Sequence, residues 1–200
     1  MRVTIVGGGH VGTALAQVFD ARGDEVVTAR REPAHSDEVP IVDAARGADL
    51  VVLAVPFATV ATIVPALGLT DGQILIDATN PFGRAWPQGY DSRDYASGGS
   101  LVQELAPNAH VVKCFNVIGY EHMGAPQFIS GPALMPVCGN DEAARERIRA
   151  LAEDLGFEAI DIGDLSKAAL VENLGLLWGT LAIAAGQGRG VAFGLMRQDA

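Results

Sequence analysis

The stretch that decides the fold is MRVTIVGGGHVG, residues Met1–Gly12. Within it, Val3–Val6 is a run rich in β-branched residues, typical of a buried strand. Three glycines follow in the spacing G-x-G-x-x-G, at Gly7, Gly9 and Gly12, and they open a segment with apolar residues at helical spacing. A strand, a glycine turn and a helix in this order bind the pyrophosphate of a dinucleotide at the helix N-terminus. The sequence therefore predicts a dinucleotide site after the first strand.

Each glycine of the motif has its own predicted role. We expect Gly7 to allow the tight turn, Gly9 to let the backbone approach the pyrophosphate, and Gly12 to allow close packing of helix on strand. His10 lies inside the motif, and we interpret it as a backbone-contact position rather than a catalytic histidine. Because the chain contains 24 glycines, a glycine-rich turn without a ligand is the alternative.

The end of the second predicted strand, Glu25–Thr28, indicates which nicotinamide cofactor binds. NAD sites usually place an acidic residue about 20 residues beyond the glycine motif, where it holds the ribose 2′-hydroxyl. Here Arg30 and Arg31 occupy that place, and two guanidinium groups can hold a 2′-phosphate through charge-assisted bonds. We predict NADP(H); the alternative is that both arginines are solvated and Glu32 binds the ribose.

Strands and helices alternate almost to the end of the chain, which requires parallel strand pairing. We predict an α/β fold with a doubly wound, mostly parallel sheet of the Rossmann-like NAD(P)-binding type and a helical C-terminal extension. Residues 1–200 are assigned to one domain, with the helical segment at about 164–200. Predicted strands occupy residues 3–6, 25–28, 50–55, 74–76, 111–115, 134–138 and 158–162, and predicted helices include 57–67, 101–106 and 165–185.

Two loops and two helix caps complete this prediction. Residues 30–40 and 79–99 are polar or rich in glycine and proline, without periodicity, and are predicted as loops. Ser100 with Gln103 is predicted to form a capping box, and Asn140 to cap the following helix.

Ligands in such sheets bind at the carboxyl ends of the strands. Ala54–Phe57 ends the third of these strands, and Pro56 is expected to turn the chain beside the nucleotide. Asn80, after the fourth strand, is placed to bond the cofactor amide or ribose. Asn116 and Val117 follow the fifth strand, so the topology brings all these positions to one crevice.

Composition excludes several classes of protein. The 14 Lys and Arg residues against 24 Asp and Glu give a net charge of −10, which argues against a general binder of nucleic acid or anionic membranes. The only cysteines, Cys114 and Cys138, form no CxxC pair, so we expect neither a disulfide framework nor a metal site. No signal-peptide pattern precedes the first strand, and we expect a cytoplasmic protein.

No acid–base pair for carbonyl reduction is visible in the sequence. The Tyr-x-x-x-Lys, GxSxG, HExxH and P-loop patterns are all missing. Hydride transfer between nicotinamide and a second organic cofactor requires stacked rings and excluded water more than a protein proton donor. We predict an oxidoreductase that acts by positioning, with no certain catalytic residue and with transfer near Asn116 and Val117.

The most apolar segment, Leu174–Ala185, is shorter than the roughly 20 apolar residues that span a bilayer. We interpret it as a core or subunit-interface helix and predict a homodimer.

Segments along nearly the whole chain resemble the coenzyme F420-dependent NADP oxidoreductases, which are NADPH-dependent deazaflavin reductases. Related to them are the reductase domains of the metalloreductases. The most specific similarity is the block VCGND…DLGF…DIGDLSKAALVENL within residues 137–174. The other similar segments are MRVTIVGGGHVG, ARRE, VVLAVPF, DATNPFG, VVKCFNVIG and the tail GRGVAFGLMR.

The resemblance implies reversible hydride transfer between NADPH and the central ring carbon of a deazaflavin, often in a dimer. It implies NADP(H) over the glycine loop, the two arginines on its 2′-phosphate, and residues 116–120 beside the nicotinamide and the deazaflavin. The implied cofactor-binding residues are Gly8, Gly9, His10, Val11, Arg30, Arg31, Val55, Thr59, Asn116, Val117 and Tyr120.

One position departs from the archaeal members, which carry histidine where this chain has Asn116. The segment FNVIG is closer to the metalloreductase reductase domains, which pair NADPH with a flavin. A flavin (FAD or FMN) reductase is therefore one alternative, and a non-catalytic NADP(H)-binding regulatory module is another. The acidic net charge also disfavours an anionic deazaflavin tail, although Arg84, Arg93 or Arg189 can offset it locally.

Overall fold

The computed structural model describes residues 1–82 and 86–198. Its strands are β1 (Arg2–Val6), β2 (Glu25–Arg30), β3 (Glu38–Pro40), β4 (Leu50–Leu53), β5 (Ile74–Asp77), β6 (His110–Lys113), β7 (Gln127–Phe128), β8 (Gly131–Pro132), β9 (Leu134–Gly139) and β10 (Glu158–Asp161). Its α-helices are α1 (His10–Ala21), α2 (Val60–Ile63), α3 (Gly98–Leu105), α4 (Glu142–Asp154) and α5 (Ala168–Gly179).

Eight strands form one sheet in the order β10-β9-β6-β5-β4-β1-β2-β3. Every neighbouring pair is parallel except β6 with β9, whose connection contains the small β7–β8 hairpin instead of a crossover helix. The strand order reverses between β1 and β4, which is where ligands bind in open sheets of this kind. The doubly wound, mostly parallel Rossmann-like sheet is thereby confirmed.

The central strands are buried along their whole length, as expected for a parallel sheet covered on both faces. All residues of β4 and β5 are buried, including the charged Asp77 at the end of β5. Arg22, directly after α1, forms an ion pair with Asp154 at the end of α4 at 3.5 Å, while α3 contacts both α2 and α5.

Five local predictions were wrong. The predicted loop 30–40 contains the edge strand β3, which pairs in parallel with β2. The predicted helix 57–67 is a single α-turn, α2, flanked by 3₁₀ turns at Phe57–Thr59 and Val64–Ala66. The predicted loop 79–99 already contains the start of α3.

The other two errors concern helix caps. Ser97, and not Ser100 with Gln103, begins α3, because the hydroxyls of Ser97 and Ser100 bond each other's backbone N–H groups. Asp141 and not Asn140 caps α4, by accepting from the N–H of Ala144 at 2.8 Å.

The helical C-terminal extension is confirmed. α5 continues directly into a π-helical turn, Thr180–Ala184, and the following tail folds back onto the protein. There Trp178 Nε1 donates to the carbonyl of Val191 at 2.8 Å, and the carbonyl of Phe193 accepts from the N–H of Leu134 at 2.9 Å.

Among the described residues, the helical stretch Leu165–Ala184 is long and apolar enough to cross a membrane, by length and composition only. A third of its most apolar window is buried inside the protein.

Candidate functional site

The glycine loop between β1 and α1 has no space for side chains at two of its positions. A Cβ on Gly7, whose φ is +117°, would lie 2.3 Å from the carbonyl oxygen of Ala54. A Cβ on Gly12 would lie 2.2 Å from the carbonyl oxygen of Gly7. Strand ends β1 and β4 and the first turn of α1 therefore approach one another closely only because these residues are glycines.

Gly9 faces open space, with no atom within 4 Å of where its Cβ would stand. It precedes α1, whose N-terminus carries no side-chain cap, so the first N–H groups of the helix are available to a ligand. Backbone N–H groups and the positive end of the helix dipole together favour an anion at this place.

The two predicted arginines differ in their surroundings. Arg30 lies with its guanidinium against Gly8, and its Nε forms an ion pair with Glu38 on β3. Arg31 and Glu32 are exposed, and neither bonds to another residue in the described part of the chain. The structure therefore brings Arg30, and not Arg31, onto the glycine loop.

Two asparagine side chains hold the ends of β5 and β6 together. Asn80 Nδ2 donates to the carbonyl of Asn116 at 2.9 Å, and Asn116 Nδ2 donates to Asn80 Oδ1 at 2.9 Å. Asn116 is 6% exposed, and its Oδ1 is buried with no hydrogen-bond partner among residues 1–82 and 86–198. An unpaired buried acceptor is costly, which points to a ligand that donates to it.

Phe115, directly before Asn116, has φ of +62°, a left-handed conformation that bulky residues rarely adopt. Its ring is buried and lies 6.0 Å from that of Phe157. Such strain persists where the surrounding structure enforces it, and it clusters at functional sites. No pattern in the sequence indicates this conformation, and the prediction missed it.

A cavity of about 450 Å³ lies beside the asparagine pair. It is walled mainly by apolar and aromatic side chains, and Val11 and Tyr120 connect it to the glycine loop. Val117 is buried and does not line it. The lining residues are Val11, Ala78, Asn80, Phe82, Phe115, Asn116, Ile118, Tyr120, Gly175, Leu176, Trp178, Gly179, Thr180, Ile183, Ala184 and Arg189.

A stack of rings closes one side of this cavity. The His10 ring stacks on Tyr120 at 4.6 Å, and the Arg189 guanidinium lies 5.1 Å from Tyr120 and 5.2 Å from Trp178. Arg189 also forms an ion pair with Glu121, and its hydrogen bonds lower the pKa of that carboxyl. Through Arg189, the C-terminal tail thus forms part of the cavity wall. A second cleft of about 880 Å³, which Tyr120 also lines, runs along α1.

Behind the asparagines lies a buried charge cluster that the sequence analysis missed. Lys113 Nζ lies 2.9 Å from Asp77 Oδ2, 3.0 Å from Glu172 Oε1 and 2.7 Å from the carbonyl of Thr79. Glu172 also accepts from the N–H groups of Gly98 and Gly99 at the start of α3. A lysine within the otherwise apolar run VVKCF, residues 111–115, was the available signal.

Of the other predicted positions, Val55 and Thr59 lie at the end of β4 beside the glycine loop, whereas Arg93 lies elsewhere on the surface. Val55 Cγ1 would stand 3.1 Å from a Cβ on Gly7, and Thr59 Oγ1 donates to the carbonyl of Pro56 at 2.8 Å. Arg93 bonds Asp91 in an exposed turn, and Arg84 lies outside the described residues.

The thiols of Cys114 and Cys138 are buried, and desolvation raises the pKa of both, that of Cys138 to about 12. Both cysteines are therefore expected to be unreactive. No group of three His, Cys, Asp or Glu side chains among the described residues could hold a metal ion.

Residues 2–81 match the model of the family described as "NADP oxidoreductase coenzyme F420-dependent". The mouse metalloreductase STEAP2 is 28% identical over 189 residues, which cover 90% of this chain and 37% of that protein. The chain thus spans little more than a third of the length of the curated metalloreductases it matches.

Two solved structures are similar over most of their length. A protein of Arthrobacter sp. FB24, provisionally assigned as an F420-dependent NADP reductase, is 29% identical with a TM-score of 0.86, over 98% of this chain and 100% of that one. A hypothetical protein of Sinorhizobium meliloti is 32% identical with a TM-score of 0.69, over 83% of this chain and 86% of that one. The resemblance found in the sequence is thereby confirmed.

Proposed function

Because residues 2–81 match the model of the F420-dependent NADP oxidoreductases and the Arthrobacter structure is similar over nearly the whole chain, we propose that the protein transfers hydride between NADP(H) and a deazaflavin of the F420 type. These similarities support an NADPH-dependent oxidoreductase in general. The deazaflavin as second cofactor, and the role of each residue below, are part of the proposal.

In this proposal the pyrophosphate lies on the glycine loop. Gly9 leaves room for it, and the free N–H groups at the start of α1 donate to it. Arg30, with Arg31 nearby, holds the 2′-phosphate. Ala54–Thr59, including Val55 and Pro56, borders the adenosine at the end of β4.

The observation that carries the proposal is the unpaired Oδ1 of Asn116 beside an apolar cavity. A nicotinamide ring at the end of β6 would present its carboxamide NH₂ to this oxygen, which fixes the ring in one orientation. The cavity has the chemistry to hold a second flat ring, since its walls include Phe82, Phe115 and Trp178.

The proposed reaction moves a hydride from C4 of the dihydronicotinamide to the central ring carbon of the deazaflavin. NADPH is oxidised to NADP⁺, the deazaflavin gains two electrons and one hydrogen, and a solvent proton neutralises the ring nitrogen. The protein's part is to stack the two rings and to exclude water, which agrees with the lack of an evident acid–base pair.

A flavin as second cofactor is the alternative that a specific observation favours. Asn116 and the segment FNVIG resemble the reductase domains of the metalloreductases, and STEAP2 aligns with 90% of the chain. A regulatory module that binds NADP(H) without turnover is the third possibility, and it is an outcome of the test below.

We further propose a cytoplasmic protein of one domain that forms a homodimer. Exposed apolar side chains on α5 and the π-helical turn, Leu170, Leu176, Leu177 and Ile183, support the dimer. Leu176 and Ile183 also line the cavity, so a second subunit on this face would help to cover the second ring.

The test mixes the purified protein under anaerobic conditions with NADPH and, separately, with F420, FMN or FAD. We expect the absorbance bands of NADPH and of oxidised F420 to fall together and in equal amounts. Faster exchange with FMN or FAD would favour the flavin alternative. Tight NADPH binding without hydride exchange to any of them would refute the enzymatic function.

A further inference from the structure

We infer that Glu38, on the edge strand β3, positions Arg30 for the 2′-phosphate and so determines the preference for NADPH over NADH. The inference rests on the proposed NADP(H) site and assigns a role to a residue outside every motif that indicated the site.

Glu38 uses both of its carboxylate oxygens, and its side chain is only 6% exposed. One oxygen forms the ion pair with Arg30 Nε, and the other accepts from the N–H of Ala34 at 2.7 Å and of His35 at 3.3 Å. A single carboxylate therefore links the end of β2 to the loop that follows it. The bond from Ala34, together with the charge of Arg30, holds the pKa of Glu38 below its ordinary value, so the group is ionised at neutral pH.

The ion pair fixes where the guanidinium of Arg30 lies. With Nε bound to Glu38, the group lies flat over Gly8, where an added Cβ would be 2.5 Å from Nη1 and 2.6 Å from Nη2. Only a glycine at this position leaves that space. The two Nη groups bond to no other residue of the described chain, and they are the pair that a phosphate accepts from in a bidentate way.

An arginine whose guanidinium group is already held in place binds an anion at lower entropic cost than a free arginine side chain, because a free side chain loses considerable rotamer freedom when it is immobilised. Arg31, beside it, is exposed and has no such tether. We therefore expect Arg30 to contribute more than Arg31 to recognition of the 2′-phosphate.

The opposite effect is physically possible, and it makes the inference testable. A carboxylate beside Arg30 also reduces the positive potential that attracts a phosphate. If this neutralisation of the Arg30 charge outweighed the positioning effect, removing the charge of Glu38 would strengthen NADPH binding. If positioning dominates, removing that charge weakens NADPH binding.

The experiment measures the dissociation constants of NADPH and NADH by calorimetry, with no second cofactor present, for the wild type and for Glu38→Gln. We expect Glu38→Gln to weaken NADPH binding roughly tenfold, as for loss of one charge-assisted bond, and to change NADH binding by less than about twofold. The matched control is Glu146→Gln, which breaks a surface ion pair with Arg149 on α4, away from the glycine loop, and it should change neither constant.

A double variant separates positioning from general loss of structure. If Glu38 acts through Arg30, then Glu38→Gln added to Arg30→Ala has no further effect on NADPH. Equal losses for NADPH and NADH, an unchanged ratio, or tighter NADPH binding would each overturn the inference. A wild-type protein that binds no NADPH would instead refute the proposed function, so the two failures can be told apart.

Discussion

At the scale of single residues, the candidate site depends on polar atoms that the protein itself leaves without a partner. Asn116 Oδ1 is the clearest case, because Asn80 fixes the side chain while this oxygen remains unbonded among the described residues. The backbone N–H groups at the start of α1 are similar, since the N-cap residue Gly9 has no side chain to accept from them. Both features are useful only if a ligand supplies the missing partners.

Asn116→Ala should therefore slow hydride transfer from NADPH about tenfold, and it should weaken NADPH binding by a smaller factor. The variant removes one acceptor and leaves Asn80 Oδ1 without its donor, a loss in the range of one or two hydrogen bonds. Single-turnover kinetics and equilibrium titration measure the two effects separately. Asn108→Ala, at an exposed asparagine before β6, is the control. Unchanged transfer in Asn116→Ala would remove the argument for nicotinamide at this position.

Replacing Arg30 and Arg31 together by alanine should weaken NADPH binding by roughly 10- to 100-fold, because charge-assisted bonds to the 2′-phosphate are lost. NADH lacks that phosphate and should bind almost as before. Titration of both cofactors against the double variant measures the difference. Equal losses would show that the arginines do not select NADPH.

Some of these single-residue features could be predicted from the sequence. The spacing of Gly7, Gly9 and Gly12 predicted a tight loop, and at Gly7 and Gly12 the structure shows contacts that no side chain could make. It did not predict the left-handed Phe115 or the tether from Glu38 to Arg30. These depend on contacts between strand ends and on backbone strain, which leave no local pattern in a single sequence.

At the scale of elements, the buried Lys113 joins four parts of the fold behind the site. It connects β6 to the end of β5 through Asp77 and to α5 through Glu172, which in turn bonds the N-terminus of α3. Its bond to the carbonyl of Thr79 fixes the residue next to Asn80. The cluster therefore holds the strand ends where the asparagine pair forms.

Lys113→Met should lower the free energy of unfolding by about 3–5 kcal/mol, because it leaves two buried carboxylates without their cation. The control is the chain's other lysine, Lys167, whose side chain is exposed. Lys167→Met should change the free energy of unfolding by less than about 0.5 kcal/mol. Urea unfolding measures both variants. Equal stability of the two variants would show that the cluster contributes little.

The same cluster predicts a dependence on alkaline pH. Desolvation alone would lower the pKa of Lys113, but the charges of Asp77 and Glu172 outweigh it and raise the pKa above its ordinary value of 10.5. A raised folded-state pKa stabilises fully below the unfolded-state pKa, and that contribution is lost as pH rises through the folded-state value. Unfolding of the wild type should therefore show a loss of stability above about pH 10.5 that Lys113→Met lacks.

The ends of helices and strands show why local sequence patterns predict element boundaries poorly. A serine-based capping box was predicted three residues too late, because Ser97 and Ser100 both suit a cap and the choice depends on Glu172, 74 residues away, bonding the first turn of α3. The edge strand β3 was read as loop because only three residues of a polar segment pair with β2. The long buried strands, in contrast, were predicted within a residue or two.

At the scale of the whole molecule, α5 and the π-helical turn that continues it leave four large apolar side chains exposed. Leu170 and Leu177 lie seven residues apart on one side of the helix, and Leu176 and Ile183, also seven residues apart, lie on another side. Exposed apolar surfaces of this kind usually mark an interface. Composition indicated only an acidic globular chain, whereas the apolar segment Leu174–Ala185 predicted a core or interface helix at this place.

Leu177→Glu combined with Ile183→Glu should convert the proposed dimer into a monomer without unfolding it, since both side chains are exposed within one subunit. Light scattering over a range of concentrations measures the mass of both proteins. A wild type that is monomeric at every concentration would contradict the dimer. The variant's circular dichroism shows whether the subunit stays folded.

The most direct measurement uses NADPH carrying deuterium in the transferable position at C4. The protein is mixed anaerobically with this NADPH and oxidised F420, and the reduced product is analysed by mass spectrometry. A carbon acceptor retains the label, whereas a flavin nitrogen exchanges it with water. We predict one deuterium in the reduced deazaflavin for each NADPH oxidised. Bound NADPH that is not oxidised, or oxidation without label in the product, would contradict the proposed hydride transfer.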